Sequence, residues 1–252
     1  MFMRFALLAS ALMLGFAGPA VADTAVLDKL QANRLAITLD KGTLAGPGAA
    51  TLLQASRQAQ YVLFGEDHGV AEIAQFSSAY FNALAPAGFT TLITENGPAV
   101  ASALEGMLKR ADAVTAIARF DAAYPDSVAF YTMRQEAEML AGFALAAGPR
   151  FEQWGIDQEF IGTAKYLIAR MLAQPVNPAA RAKLEALRQM EAVASQKAAA
   201  TGNPFEYFML SASSEELTSL RPLLASPKEH TALGLLDALL ATRAIYQKSA
   251  SK

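Results

Sequence analysis

The chain has 252 residues, 53% of them hydrophobic, with 21 basic and 23 acidic side chains and a formal net charge of −2. That balance leaves no basic footprint, which argues against nucleic acid as the natural partner. With no cysteine, neither disulfides nor thiolate chemistry can contribute.

The first residues read as an address. Met1 to Arg4 is a short basic start, Phe5 to Gly18 an apolar run, and Ala20-Val21-Ala22 places small residues where a signal peptidase reads them. The expectation is a secretory signal peptide over 1–22, cleaved after Ala22, and a periplasmic or secreted mature chain. The run is short for a membrane span, and no later apolar stretch is long enough for one. The mature length suits one substantial domain.

In chain order, Asp23 to Leu39 reads as helix, with Leu27, Leu30 and Leu35 on one face, and Gly42 to Gly48 as a loop. Ala49 to Gln58 is a short helix. Tyr61-Val62-Leu63-Phe64-Gly65-Glu66 is an apolar run closed by glycine and an acid, the pattern of a buried parallel strand. Ile73, Phe76, Tyr80 and Leu84 then recur at helical spacing, and Pro86 and Gly88 stop that helix. Thr90 to Glu95 is a second strand, rich in β-branched residues. Strand, helix and strand in this order predict a parallel pair joined by a right-handed crossover.

Pro98 starts a helix that runs to about Leu108, and Ala111 to Phe120 suggests another. Asp126 is the expected N-cap of a long helix reaching Ala147. Phe151 to Glu159 is the third strand, with Trp154 in the core. Beyond Phe160 the pattern is helical: Gly162 to Ala173, Ala179 to Ala200, Glu215 to Leu224 and Thr231 to Lys248. Leu184, Leu187, Met190 and Val193 form one apolar stripe, and Ser213 to Glu216 has capping-box spacing.

The predicted fold class is therefore α/β: a mainly parallel sheet with flanking helices over 23–160, then a helical region over 161–252. That region is read as an insertion or a cover. Three strands are few for a sheet, which typically has about 5–6. Either helices cover the open edge, or this is the front part of a longer protein and the domain is incomplete. The second reading is preferred.

The strand ends carry the candidate chemistry. Open α/β sheets place ligand sites at the carboxyl ends of their strands, and there stand Glu66, Asp67, His68, Glu95, Asp157 and Glu159. A histidine beside carboxylates suits general-base activation of water, with a carboxylate fixing the ring and stabilising the imidazolium. The same donors suit a divalent ion such as manganese, iron or zinc, which lowers the pKa of a bound water. Gly65 and Gly69 bracket the loop, read either as turn geometry or as close approach to a ligand. His230, the only other histidine, is expected at the surface. No phosphate-loop pattern and no Gly-x-Ser-x-Gly elbow is present.

Gly65-Glu66-Asp67-His68-Gly69 after one strand and Thr94-Glu95-Asn96-Gly97 after the next resemble the superfamily that groups erythromycin esterase-like hydrolases with ChaN-like and TraB/Tiki-like proteins. Trp154-Gly155-Ile156-Asp157 is similar to a further strand end of that scaffold, so the resemblance spans residues 61–160. It implies an α/β fold with helical insertions and a site at the Gly-Glu-x-His strand end. Erythromycin esterase-like members place one more residue between glutamate and histidine, attack esters without metal, and have further histidines downstream that this chain lacks after His230. The Glu66-Asp67-His68 spacing is closer to the ChaN-like and TraB/Tiki-like forms, which the resemblance links to haem or iron handling and to metal-dependent peptide cleavage.

The leading expectation is an exported hydrolase-like protein in which water attacks an ester or amide of a small-molecule or peptide substrate. His68 is the base or metal ligand, Glu66 and Glu95 orient it or complete the metal shell, and Asp67, Asp157 and Glu159 contact substrate. The alternatives are a periplasmic haem- or metal-binding protein without turnover, and an inactive, truncated relative.

Overall fold

The computed structural model describes residues 24–65 and 69–250. The expected signal peptide and the Glu66-Asp67-His68 segment lie outside the described residues.

The chain opens with α1 (Thr24–Ala32) and a small antiparallel hairpin, β1 (Thr38–Asp40) and β2 (Thr43–Ala45), in which Thr38 faces Ala45. The hairpin replaces the end of the expected first helix and part of the expected loop. Lys41 and Gly42 both take positive φ, the geometry of a tight hairpin turn. Leu27, Leu30 and Leu35 remain exposed, so no apolar packing extends the helix through Leu39. Next come α2 (Pro47–Arg57) and a segment without regular secondary structure, Tyr61–Gly65.

That segment is not the expected strand. Among the described residues it makes no backbone ladder, and Leu63 is 97% exposed. Phe64 instead packs on helix α3 (Ala71–Leu84), stacking on Phe76 at 5.4 Å between ring centroids and lying 6.4 Å from Tyr80. A strand needs a partner to satisfy its backbone groups, and among the described residues none is bonded to this one.

After a 3-10 turn closed by Gly88 come β3 (Thr91–Thr94), α4 (Pro98–Leu108), α5 (Ala113–Ala123), α6 (Arg134–Ala147) and β4 (Glu152–Gly155). β3 and β4 pair in parallel, Thr91 opposite Glu152 and Thr94 opposite Gly155. The fold is thus mixed α/β, mostly helical with two small sheets, and among the described residues the parallel sheet has two strands rather than three. One face of this pair lies on α4 and the other is open, which places Trp154 at 54% exposure rather than in the core.

Nor does Asp126 cap a helix. It takes φ of 57°, accepts a hydrogen bond from the Tyr207 hydroxyl, and its carbonyl is bonded by the Gly162 N–H. These ties hold the 126–128 stretch against the start of helix α7 (Ala164–Leu172), and α6 begins only at Arg134.

The remaining elements are α8 (Pro178–Thr201), α9 (Phe208–Ser211), α10 (Ser214–Thr218) and α11 (His230–Ala250). The capping box at Ser213 and Glu216 forms as its spacing predicts. His230 is exposed at the start of α11. No helix among the described residues is long and apolar enough to cross a membrane.

The interior has two clusters. Leu104, Ile117, Leu140, Phe143 and Phe151 centre the first, formed by α3, α4, α5 and α6 with the residue that precedes β4. Leu167, Met171, Leu184, Leu187, Leu217 and Leu236 centre the second, among the later helices. Helix α7 joins them, with Tyr166 in one and Leu167 in the other. The stripe on α8 differs from the expected one. Leu184 and Leu187 are buried, but the buried face continues through Glu191 and Ala198, leaving Val193 66% exposed. A 3.6-residue turn carries the stripe by threes and fours, so repeated steps of three drift off it. Leu187→Ala is expected to cost about 2–5 kcal/mol, whereas Val193→Ala should stay within about 0.5 kcal/mol. Urea unfolding midpoints of the two variants check this.

Candidate functional site

The rim at the carboxyl ends of β3 and β4 is built by the ladder itself. The Ile156 N–H bonds the Thr94 carbonyl at 3.3 Å, and the Asp157 N–H bonds the Asn96 carbonyl at 3.2 Å. Alternation along a strand then sorts the side chains. Thr94, Asn96 and Gln153 point inward and are buried, while Ile93, Glu95, Trp154 and Ile156 point outward and are exposed. Glu95 therefore sits at the end of β3 on the open face.

Under the rim lies a polar layer. The Thr94 hydroxyl donates to the Trp154 carbonyl and accepts from Asn96 Nδ2 at 3.5 Å and Gln153 Nε2 at 3.3 Å. Glu105 of α4 accepts the Gln153 backbone N–H at 3.0 Å and bonds Lys109 at 2.5 Å. Partial burial opposes ionisation of Glu105, but the Gln153 N–H and Lys109 outweigh it and hold the carboxyl below its usual range.

The three acids of the β4 end separate. Asp157 is half-buried and accepts the Gln158 N–H at 2.7 Å. Its charge and, above all, burial push the Tyr246 hydroxyl up. Glu159 is only 1% exposed and turns inward. Its Oε1 accepts the Ala99 N–H at 2.6 Å, in the first turn of α4, and its own N–H donates to the Thr242 hydroxyl of α11 at 3.1 Å. Burial pushes the Glu159 carboxyl up, partly offset by the Ala99 and Val100 N–H groups. A carboxylate at a helix N-terminus answers N–H groups that have no partner within the helix.

Gly97 is part of this arrangement. A Cβ there would overlap the Glu159 carboxyl and come within 2.6 Å of its Cα.

Gly69, which follows the Glu66-Asp67-His68 segment, is held by an acid of α6. Gly69, at φ of +84°, donates its N–H to Glu136 Oε1 at 3.4 Å, and Glu136 Oε2 accepts the Tyr131 N–H at 3.0 Å. Glu136 is buried in the first turn of α6. An acid in the first turn of a helix was the available signal, but such residues are common. Glu105 and Thr242, which lie mid-helix, carry no local signal of their part at the rim.

Of the expected catalytic and metal set, Glu95 is described, while Glu66 and His68 are not, and neither is Asp67. Among the described residues no group of three His, Cys, Asp or Glu side chains converges to hold a metal. A cleft of ≈ 780 Å³ lies at the other end of β4, bordered by Leu108, Arg110, Leu145 and Phe151, and contains none of the expected site residues.

No family model, curated protein or solved structure matches this chain.

Gly97→Ala tests the close approach of Glu159. It is expected to lower stability by about 1–3 kcal/mol, whereas Gly106→Ala, where a Cβ meets nothing within 4 Å, should not. Guanidinium denaturation of both variants checks the contrast.

Proposed function

We propose that the chain is an exported hydrolase-like protein that directs water at an ester or amide carbonyl, with His68 as general base and Glu66 and Glu95 as its carboxylate partners. The observation that carries this reading is the position of Glu95, exposed at the carboxyl end of β3 and beside the end of β4. The motif before α3 supplies the histidine, and Glu136 fixes Gly69, the residue after it. The finer expectation of a mainly parallel sheet belongs to the same proposal; among the described residues Tyr61–Gly65 forms no strand beside β3.

In this mechanism His68 takes a proton from water as the oxygen attacks the carbonyl carbon. A carboxylate stabilises the imidazolium, which returns the proton to the leaving alcohol or amine as the tetrahedral intermediate collapses. Asp157 borders the rim and is assigned to substrate contact with Asp67. Glu159 is not, because it is buried against α4; its part is to hold the turn after Glu95. The metal-assisted form draws on His68, Glu66 and Glu95, of which the described residues contain only Glu95.

His68→Ala is expected to lower kcat/KM for activated esters by about 10²–10⁴-fold. Glu95→Gln should lower it as well, both without loss of the folded circular-dichroism signal. Unchanged turnover in both variants would show that the chemistry lies elsewhere.

A further inference from the structure

We infer that Glu159 is a positioning residue through which helix α11 holds the turn that carries Glu95; its bearing on catalysis rests on the hydrolase reading above. The chain of contacts is short. Thr242 of α11 accepts the Glu159 N–H at 3.1 Å, and Glu159 Oε1 accepts the Ala99 N–H at 2.6 Å. The Ala101 N–H then bonds the Gly97 carbonyl at 2.9 Å, which closes the first turn of α4 immediately after Glu95-Asn96. Gly97 leaves no free space between this turn and the Glu159 side chain. A shift of α11 at Thr242 thus reaches the backbone beside Glu95 through one side chain. Helix α11 also packs in the second core with α7, so the helical region has a mechanical hold on the rim.

The second oxygen of Glu159, Oε2, is buried and accepts no hydrogen bond among the described residues. The titratable and charged groups around it offer no compensation. Tyr166 of α7 feels the Glu159 charge, on top of its own burial, as an upward push on its hydroxyl. Asp157, on the same loop, and Tyr246 of α11 face one another. Arg243 of α11 turns its guanidinium to the carbonyls of Met209 and Leu210. α4 presents only backbone N–H groups. A carboxyl in such a place favours its neutral form. Its contribution to holding the turn is complete below the ordinary glutamate value of 4.5 and is lost as pH rises through the higher folded value. Ionisation strengthens the bond from the Ala99 N–H but leaves a charge buried, and the burial effect is the larger, so this latch on the turn weakens on balance when Glu159 ionises.

Hydrogen exchange at the Ala99 and Val100 amides reads the latch directly, and Trp154, the only tryptophan, reports the rim by fluorescence. In the full chain, protection at Ala99 should fall with rising pH, by up to about tenfold per unit once past the folded value of Glu159. In Glu159→Gln it should stay flat. Thr242→Val should speed exchange at Ala99 about tenfold at every pH, an effect of the size of a lost helix cap, and Thr242→Ser should restore it. The Thr242 pair also decides the matter if Glu159→Gln does not fold. Where esters are turned over, the wild-type rate should decline on the alkaline side with the Ala99 protection, and the Glu159→Gln rate should not. Identical pH profiles of protection in wild type and Glu159→Gln, or unchanged exchange and Trp154 emission in Thr242→Val, overturn the inference. Absence of turnover in the wild type overturns the hydrolase reading alone, since exchange still reads the latch.

Discussion

Much of the architecture depends on a buried carboxyl placed at the start of a helix. Glu159 leaves water to meet the first turn of α4, and the structure around it is arranged to make that placement tolerable. Gly97 gives up a side chain so that the carboxyl fits, and Pro98 brings no N–H that would compete for it. Thr242 fixes the Glu159 backbone from the opposite side. Burying a charge costs several kcal/mol unless it is paired. With no cation beside it among the described residues, the carboxyl is met by backbone donors and shifted upward.

This junction is also where the two hydrophobic clusters meet. Ala99, whose N–H binds Glu159, packs against both. The clusters are joined again where Thr163 donates to the Ser127 carbonyl and Lys165 donates to the Ala123 carbonyl. Polar ties of this kind add little net energy, about 1 kcal/mol each, but they fix relative orientation in a way that leucine contacts alone do not. The sheet rim is therefore defined from two sides, by its own ladder and by the helices behind it.

Local signals in the sequence suffice where chemistry within one segment decides the outcome. Pro98 at the first helical position and the apolar spacing up to Leu108 mark α4 with its observed bounds. Ser213 and Glu216 cap α10 as their spacing requires. Thr90 to Glu95 and Phe151 to Glu159 contain the parallel pair. The failures fall where a distant partner decides. Tyr61 to Gly65 has the composition of a strand, but composition cannot supply the neighbour that would bond it, and Phe64 found α3 instead. Trp154 is bulky and apolar, yet it stands on the sheet face that no helix among the described residues covers. Glu159 looked like Asp157 in the sequence, two acids at one strand end. Only contacts with residues 60 and 83 positions away make one a helix anchor while the other borders the rim.

The bond from the Gln153 N–H to Glu105 has one further consequence. Along β4, alternate backbone groups face β3 and the remainder face away, and Gln153 is among the latter. By accepting that N–H, the Glu105 carboxylate occupies a position that a neighbouring strand would need, much as charged side chains guard exposed sheet edges elsewhere. On β3 the groups of Thr91 and Ile93 face the opposite edge, and among the described residues no side chain stands over them. Among the described residues the guarded flank is therefore the β4 side, and the flank beside β3, which ends at Glu95, carries no such guard.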